Sequence, residues 1–594
     1  MKKTWVFLIA FLIILSNARL LTGNEPLFSH SNSPSFITHE GVDPESTIAM
    51  NIDRYLSAME SLGFSGAIIV SEGEEVVLRK GYGLADRETR RPYTANTVQS
   101  HGSLTKQITA AAILLLEDRG QLSLEDSLAG FFDGLPEEKR EITIHQLLTH
   151  SSGLPGGIGP DEEPIRDGAY VDRLIGEPLQ FEPGSGYAYS NAGYALLGIL
   201  IEKLTGKDYE TFLREELFLP AGMRETGYLL PDWSPERLAE GYRNGKRWGL
   251  VHKRGWRKDG PGWHLRANGG LHTTIDDMYR WFQNTLKGHK ILTEETVKQW
   301  TTPYVTESNG VSRYAYGWVV RDTQWGRMIS HSGSNRIFSA DLVWLPEQKM
   351  FFYIHGNTSM IAASRQRKSL LAAAFDPDFQ MPPLIEPDPD ASPDIAWKRE
   401  GKYYPDGGSL ELTADDIRLF ARLTGQATLD RMLNHTEKQK KHFDQLNRQT
   451  KQAMEKLEDG RKDALAGITG PGKDPVEATR VLLDRIKQIG NLESLNLIGS
   501  FENVPGSHLA TFGPWTTFVY AKFRNWNQYW NIVWNSDGTY RGTYSGPWPT
   551  FVLIPTGVNQ YTGVRQRLPW NTLKIHFEDE CLFLGKLPAC LENK

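Results

Sequence analysis

The sequence is sparing with three features, and each scarcity narrows what the protein can be. Cysteine occurs twice in 594 residues, as Cys581 and Cys590, both in the last segment. The pair is a candidate disulfide closing a small terminal loop, with two unpaired thiols as the alternative. Excess positive charge is missing: the formal net charge is -6 and no long Lys/Arg stripe occurs. A polyanion would find no overall field to hold it, so nucleic acid is not an expected partner. Long apolar runs are also missing near the N-terminus, where Trp5 to Leu15 falls short of the roughly 20 residues that cross a bilayer. Flanked by Lys2-Lys3 and by Ser16-Asn17-Ala18, this run predicts a secretory signal over residues 1–18, the alternative being an uncleaved anchor. The expected location is secreted or extracytoplasmic, in the periplasm or cell envelope, with no membrane span once the signal is removed.

What is present is packing material: 39% of residues are hydrophobic, 23% are charged and 17 are Trp, the composition of a globular chain long enough for several units. Residues 19–45, rich in Ser, Asn and Pro, read as an extended leader. Helical periodicity runs from Ser46 to Leu62, followed by strand-like Gly66–Val70 and Glu75–Leu78. A helix beginning near Ser103 carries the apolar run Ile108 to Leu116 and stops at Gly120. Asp341–Leu345 and Met350–Ile354 read as strands. Strands at both ends with helices between them predict an α+β unit over residues 46–375, an antiparallel sheet with a helical cluster.

Between Asp376 and Asp394 stand Pro377, Pro382, Pro383, Pro387, Pro389 and Pro393, so a linker is expected over 376–395. The remainder, 396–594, reads as a smaller α+β region. Its parts are a polar helix from Leu429 to Leu457 with a solvated face and, from Leu492, a small antiparallel domain including Thr517–Tyr520, Trp530–Trp534 and Phe551–Ile554. Its aromatics are expected to pack against a neighbouring helix.

Three short stretches carry candidate chemistry. Ser103-Leu104-Thr105-Lys106 opens an apolar helix, and a spacing of three puts hydroxyl and ammonium on one face. A serine hydroxyl is a weak nucleophile until a neighbour takes its proton. The helix start favours negative charge near Ser103, and burial would depress the pKa of Lys106. Tyr189-Ser190-Asn191 precedes the apolar helix Tyr194 to Leu204. A phenol with a pKa of about 10 serves as a base only beside a cation, which Lys106 would supply. The Asn191 amide suits holding Lys106 on one side and a substrate amide on the other. His331-Ser332-Gly333-Ser334 precedes the strand that ends near Leu345. The backbone N–H of Ser334 could join that of Ser103 as an oxyanion hole, and Gly333 would allow close approach.

Taken together, S-x-x-K, Y-x-N and a Lys- or His-led triplet ending in Gly resemble the serine beta-lactamase/penicillin-binding superfamily. Within it the sequence is most similar to the class C beta-lactamase, D-alanyl-D-alanine carboxypeptidase and esterase branch. Gly81-Tyr-Gly-Leu-Ala-Asp86, Leu147-Leu-Thr-His-Ser-Ser-Gly-Leu154, Leu219-Pro-Ala-Gly-Met223 and Ala267-Asn-Gly-Gly-Leu271 add to the likeness, which spans Ser46 to Phe375. The resemblance implies that Ser103 attacks a carbonyl while Lys106 and Tyr189 shuttle its proton, and that water activated through Tyr189 releases the acyl-enzyme. No Glu-led loop of the class A kind is present, so deacylation should not depend on a dedicated glutamate.

One departure bears on substrate. The family usually has Lys where His331 stands, and an imidazole with an unperturbed pKa of about 6.5 is mostly neutral at pH 7. It can donate a hydrogen bond but supplies little attraction for a carboxylate. Esters, amides and D-amino-acid peptides therefore stay equally open as small-molecule or peptide substrates, cell-wall fragments among them. The alternative function is a non-catalytic receptor for such fragments. His145 and His150 do not stack as ligands on one helix face, no H-E-x-x-H occurs, and His355 reads as a satisfied core histidine. No metal and no organic cofactor are expected.

Overall fold

A computed structural model describes residues 40–591, apart from 309, 406–407, 434, 504–511, 525–526, 546–549, 566–571 and 585–586. The expected signal and most of the leader lie outside the described residues. Of the leader, Gly41–Val42 forms an edge strand on Glu75–Tyr82. The first helix, Thr47–Ser61, is capped by Ser46, whose hydroxyl accepts from the Ala49 N–H at 3.0 Å. Ala49, Ile52, Tyr55, Leu56 and Met59 are buried on it, the one-face spacing of an amphipathic helix.

That helix packs on a nine-stranded sheet in which every pairing is antiparallel. Gly66–Glu72 pairs with Met350–Gly356, joining the N-terminal hairpin to the run Gly326–Ser334, Ser339–Leu345 and Met350–Gly356. Both faces of the centre are covered, so these strands are apolar throughout. Ala67, Ile69, Phe351 and Tyr353 face the helical cluster, which includes Thr105–Asp118 and Asn191–Thr205; Ile68, Val70, Phe352 and Ile354 face Thr47–Ser61. The expected α+β architecture is the one observed.

Residues 376–392 form no helix or strand, but Phe379, Met381 and Ile385 pack against the same core as Thr47–Ser61, so the segment runs along the surface rather than spanning a gap. The expected linker also ends early. Pro393 opens a helix to Lys398, the first-turn position where a missing N–H costs nothing.

The C-terminal region differs more from expectation. Gly401–Tyr404, Ser409–Asp415, Arg418–Thr424, Thr550–Gly557, Gln560–Arg565, Thr572–Glu578, Cys581–Leu584 and Leu587–Leu591 close into a barrel. Among the described residues between Thr424 and Thr550 lie three helices and a separate four-stranded sheet, Leu492–Glu502 to Tyr540–Ser545. Thr517–Tyr520 and Trp530–Trp534 thus belong to the inserted sheet and Phe551–Ile554 to the barrel, not to one small domain.

The expected helix Leu429 to Leu457 is two, Gln426–Met432 and Glu437–Glu458, because Thr436 and Gln439 form a capping box that starts a new helix. Nor is the second only a solvated surface. Phe443, Leu446, Thr450, Ala453, Met454 and Leu457 are buried, packing with the inserted sheet's Trp530 and Trp534. Cys581 and Cys590 face each other across the last barrel hairpin and are disulfide-bonded. Phe420, Val552, Ile554 and Val564 of the barrel join the core of Thr47–Ser61, so barrel and sheet share apolar packing. Among the described residues no helix is long and apolar enough to cross a membrane.

Candidate active site

Ser103 sits in a 3-10 turn, Gly102–Leu104, that runs into the helix Thr105–Asp118. Two glycines let this turn lie against the end of the strand Gly326–Ser334. A Cβ on Gly102, whose φ is +58°, would meet the Ser334 nitrogen at 2.6 Å. One on Gly333 would meet the His101 carbonyl at 1.8 Å and the Ser103 nitrogen at 2.9 Å. Only glycine at both places brings the backbones of Ser103 and Ser334 side by side.

Lys106 is fully buried on the next turn of the chain. Its Nζ lies 2.7 Å from Asn191 Oδ1, 2.8 Å from the Asn268 carbonyl and 3.3 Å from Ser103 Oγ. Two of these partners can only accept, so they take two N–H groups and leave the third direction for the Ser103 hydroxyl. Burial pushes the amine well below the ordinary lysine value of 10.5, with only the charge of Asp161 working the other way. That shift favours the unprotonated amine, whose lone pair would lie toward Ser103.

Asn191 is fixed by the turn it opens. Ser190 caps the helix Asn191–Thr205, its Oγ accepting from the Gly193 N–H at 2.9 Å and donating to the Pro155 carbonyl at 2.7 Å. The Ser190 N–H donates to His150 Nδ1 at 3.1 Å, and Asn191 N–H donates to the Gly156 carbonyl at 2.8 Å. Tyr189 stands over Lys106, whose Nζ is 4.7 Å from the ring centre, and leans on the His150 ring at 4.3 Å. Surrounding protein pushes its phenol up from the ordinary value, and its hydrogen bond with Ser103 pulls the other way. With 36% of its surface exposed, it is open to an incoming molecule.

His331 is buried beside this group, but its nitrogens are occupied. Nδ1 is 2.8 Å from the Ser332 carbonyl, which can only accept, so this nitrogen carries the proton. Nε2 then accepts from the Tyr314 hydroxyl at 3.1 Å. Burial and then Lys106 drive its pKa down to about 3, so the ring is neutral across the physiological range. The donor expected to reach a substrate is instead directed at the neighbouring backbone.

Sequence reasoning missed several parts. The Asn268 carbonyl reaches Lys106 because Ala267 adopts a φ of +68° and the turn is anchored at both sides. Thr109 Oγ1 donates to the Ala267 carbonyl at 2.6 Å, and Tyr228 Oη accepts from the Ala267 N–H at 3.1 Å. The signal was the Ala267-Asn-Gly-Gly run, but a main-chain acceptor leaves no mark in side-chain identity. His150, at φ +60°, packs among Tyr189, Tyr194 and Tyr314 as a structural support. His355 is buried as expected, but neither ring nitrogen has a hydrogen-bond partner.

With this geometry in view, the match to a family model gives the class. A family model described as Beta-lactamase matches residues 55–376, and the chain belongs to this family, whose superfamily consists of serine hydrolases. Among individual relatives, a penicillin-binding protein of Bacillus subtilis (strain 168) is 28% identical over 405 residues, covering 62% of this chain and 87% of that protein. Esterase EstB of Burkholderia gladioli is 36% identical over 205 residues, 30% of this chain and about half, 51%, of the esterase. The solved structure of an octameric penicillin-binding protein homologue from Pyrococcus abyssi aligns with 91% of this chain and 99% of its own at 18% identity, with a TM-score of 0.48.

Proposed function

We propose that the protein is an exported serine hydrolase that cleaves an ester or amide bond through an acyl-enzyme on Ser103, within a hydrolase unit spanning 46–375. The observation that carries this reading is the Lys106 amine, tied by two carbonyl acceptors and 3.3 Å from Ser103 Oγ. Burying a lysine amine costs stability, and general-base activation of a serine is a function that needs an amine with a lowered pKa in this geometry.

In the proposed reaction the Ser103 hydroxyl passes its proton to Lys106 as Oγ bonds to the carbonyl carbon. The resulting oxyanion is held by the backbone N–H groups of Ser103 and Ser334. Collapse breaks the bond to the leaving group, which takes a proton by way of Tyr189, bridging Ser103 and the solvent side. A water then attacks the acyl carbon and gives its proton to Tyr189 or Lys106, and the bond from that carbon to Ser103 Oγ breaks as Oγ takes the proton back, releasing the acid. Asn191 positions Lys106 and offers its amide to the substrate. His331, neutral and bonded on both nitrogens, acts as wall rather than as an anchor for a carboxylate, which favours esters, amides or D-amino-acid peptides over substrates needing a fixed cation at that point. The signal-like N-terminus and the likeness to a penicillin-binding protein and to an esterase support export and this substrate range.

The test is labelling with a fluorophosphonate, with the adduct mapped by mass spectrometry. Modification of Ser103, abolished in Ser103→Ala, is expected; labelling that survives the substitution refutes the assignment.

A further inference from the structure

The same unit carries a groove of about 810 Å³ whose lining includes Glu162, Arg247, Trp248, Lys253 and Arg254. Two links run from its wall toward the cluster around Ser103. The Trp248 ring packs edge-on to Phe338 at 6.4 Å, a short way along the chain from Ser334. Glu162 follows Asp161, whose carboxyl is close enough to feel the charges of Lys106 and Arg336. One wall is a two-stranded hairpin, Gly241–Arg243 and Lys246–Gly249. At its base, a Cβ on Gly241 would meet Ile337 at 2.8 Å and Phe338 at 2.9 Å, so hairpin and strand end are in direct contact.

The other end of this hairpin rests on the C-terminal barrel. Gly245, at φ +76°, presses against the Ala414 carbonyl, where a Cβ would come within 1.7 Å. Ala414 and Asp415 end one barrel strand and Arg418 starts the next, so the contact is made by a barrel turn. Asp415, fully buried, forms an ion pair with Arg87. Asp416 pairs with Arg90 at 3.1 Å. Arg87 in turn grips the hairpin: its guanidinium lies over the Tyr242 ring at 4.3 Å, and its backbone N–H donates to the Tyr242 hydroxyl at 2.7 Å. The same hydroxyl donates to Glu88 at 2.6 Å.

We propose that the barrel turn Ala414–Asp416 clamps the hairpin 241–249 and thereby sets the shape of the groove that receives the part of a substrate extending beyond the scissile bond. The C-terminal barrel is then a positioning element for specificity. It touches no reacting atom, and it acts through Arg87, Tyr242 and the hairpin. An interface serving only to attach the barrel would have no need to run through a groove wall, and the apolar packing of Phe420, Val552 and Ile554 already supplies attachment. The kinetic consequence rests on the hydrolase reading of Ser103; the mechanical one does not.

The test uses the full chain with Gly245→Ala, whose Cβ would clash with the Ala414 carbonyl, and, as a milder change, Asp415→Asn. Hydrogen exchange followed by mass spectrometry should show faster exchange over 241–249 in both variants, with exchange in the helix Thr105–Asp118 unchanged. In kinetics, p-nitrophenyl acetate should keep its kcat/KM to within about twofold, while KM for an ester extended by an N-acetylated dipeptide on the acyl or on the alcohol side rises about tenfold. Unchanged exchange over 241–249 would overturn the clamp, as would a rise spread evenly over the helical cluster or equal losses on short and extended esters. A wild-type protein that turned over no ester would count against the Ser103 reading alone, and the exchange arm would still decide the clamp.

Discussion

The cluster around Ser103 and the C-terminal insertion bury polar groups in opposite ways. In the N-terminal unit the buried polar side chains include ionisable groups forced out of their usual state: Lys106 is driven well down, and His101, His272, His331 and His355 are each pushed to about 3 by burial. In the C-terminal insertion they include a chain of neutral groups that satisfy one another. Trp534 Nε1 donates to Thr517 Oγ1 at 2.8 Å, which shares a bond with Ser500 Oγ at 2.6 Å. Ser500 Oγ in turn donates to Asn447 Oδ1 at 2.8 Å, and Asn447 donates to Gln426 at 2.8 Å. A neutral network of this kind stabilises a fold. A desolvated amine works against stability, and its presence points to chemistry.

Substitutions that swap the expected outcomes break this contrast. The largest effect is at Lys106. Lys106→Met keeps bulk and removes the amine, and should slow fluorophosphonate labelling by about 10³-fold while the melting temperature holds or rises. A lower melting temperature with labelling intact would make Lys106 a structural residue. Tyr189→Phe removes only the phenol oxygen and should slow acyl-enzyme turnover by about 10²-fold, read by steady-state ester hydrolysis.

In the other half the signs reverse. Replacing Cys581 and Cys590 by Ala opens a terminal loop of 9 residues' separation and should cost about 2–3 kcal/mol of barrel stability, measured by denaturant unfolding with labelling of Ser103 unaffected. Thr517→Val strands the Trp534 N–H and a Ser500 partner, with an expected loss of about 1–3 kcal/mol and again no change in labelling.

The buried histidines sharpen the contrast by pH. Each is held near 3 in the fold against about 6.5 in an unfolded chain. Between those values the unfolded chain binds more protons, so the stability of the N-terminal unit is full above about pH 6.5 and is lost progressively as pH falls toward 3. Thermal unfolding followed by hydrogen exchange should show that unit weakening first in acid.

The parts legible in the sequence are those set by side-chain identity at short spacing. Ser103 and Lys106 share a helix face, Tyr189 and Asn191 share a helix start, and Gly333 marks a close backbone approach. The antiparallel sheet followed from apolar runs such as Met350–Ile354. What escaped depends on main chain and on long range. The Asn268 carbonyl is an acceptor that any residue carries. The saturation of His331 required knowing that Tyr314 lies across the strand from it. The barrel joins strands on either side of a long insertion, and local periodicity does not report that Arg418–Thr424 pairs with Thr550–Gly557. The break at Thr436 was written in its capping box and masked by the even polarity of the flanking residues.

The role of the Lys106 amine as base for Ser103 is tested most directly by the pH dependence of the labelling rate of Ser103 with a fluorophosphonate. A rate that climbs with pH and levels off well below the ordinary lysine value of 10.5, with the climb lost in Lys106→Met, is the predicted result. A rate still rising through pH 10, or a profile identical in the variant, would contradict it.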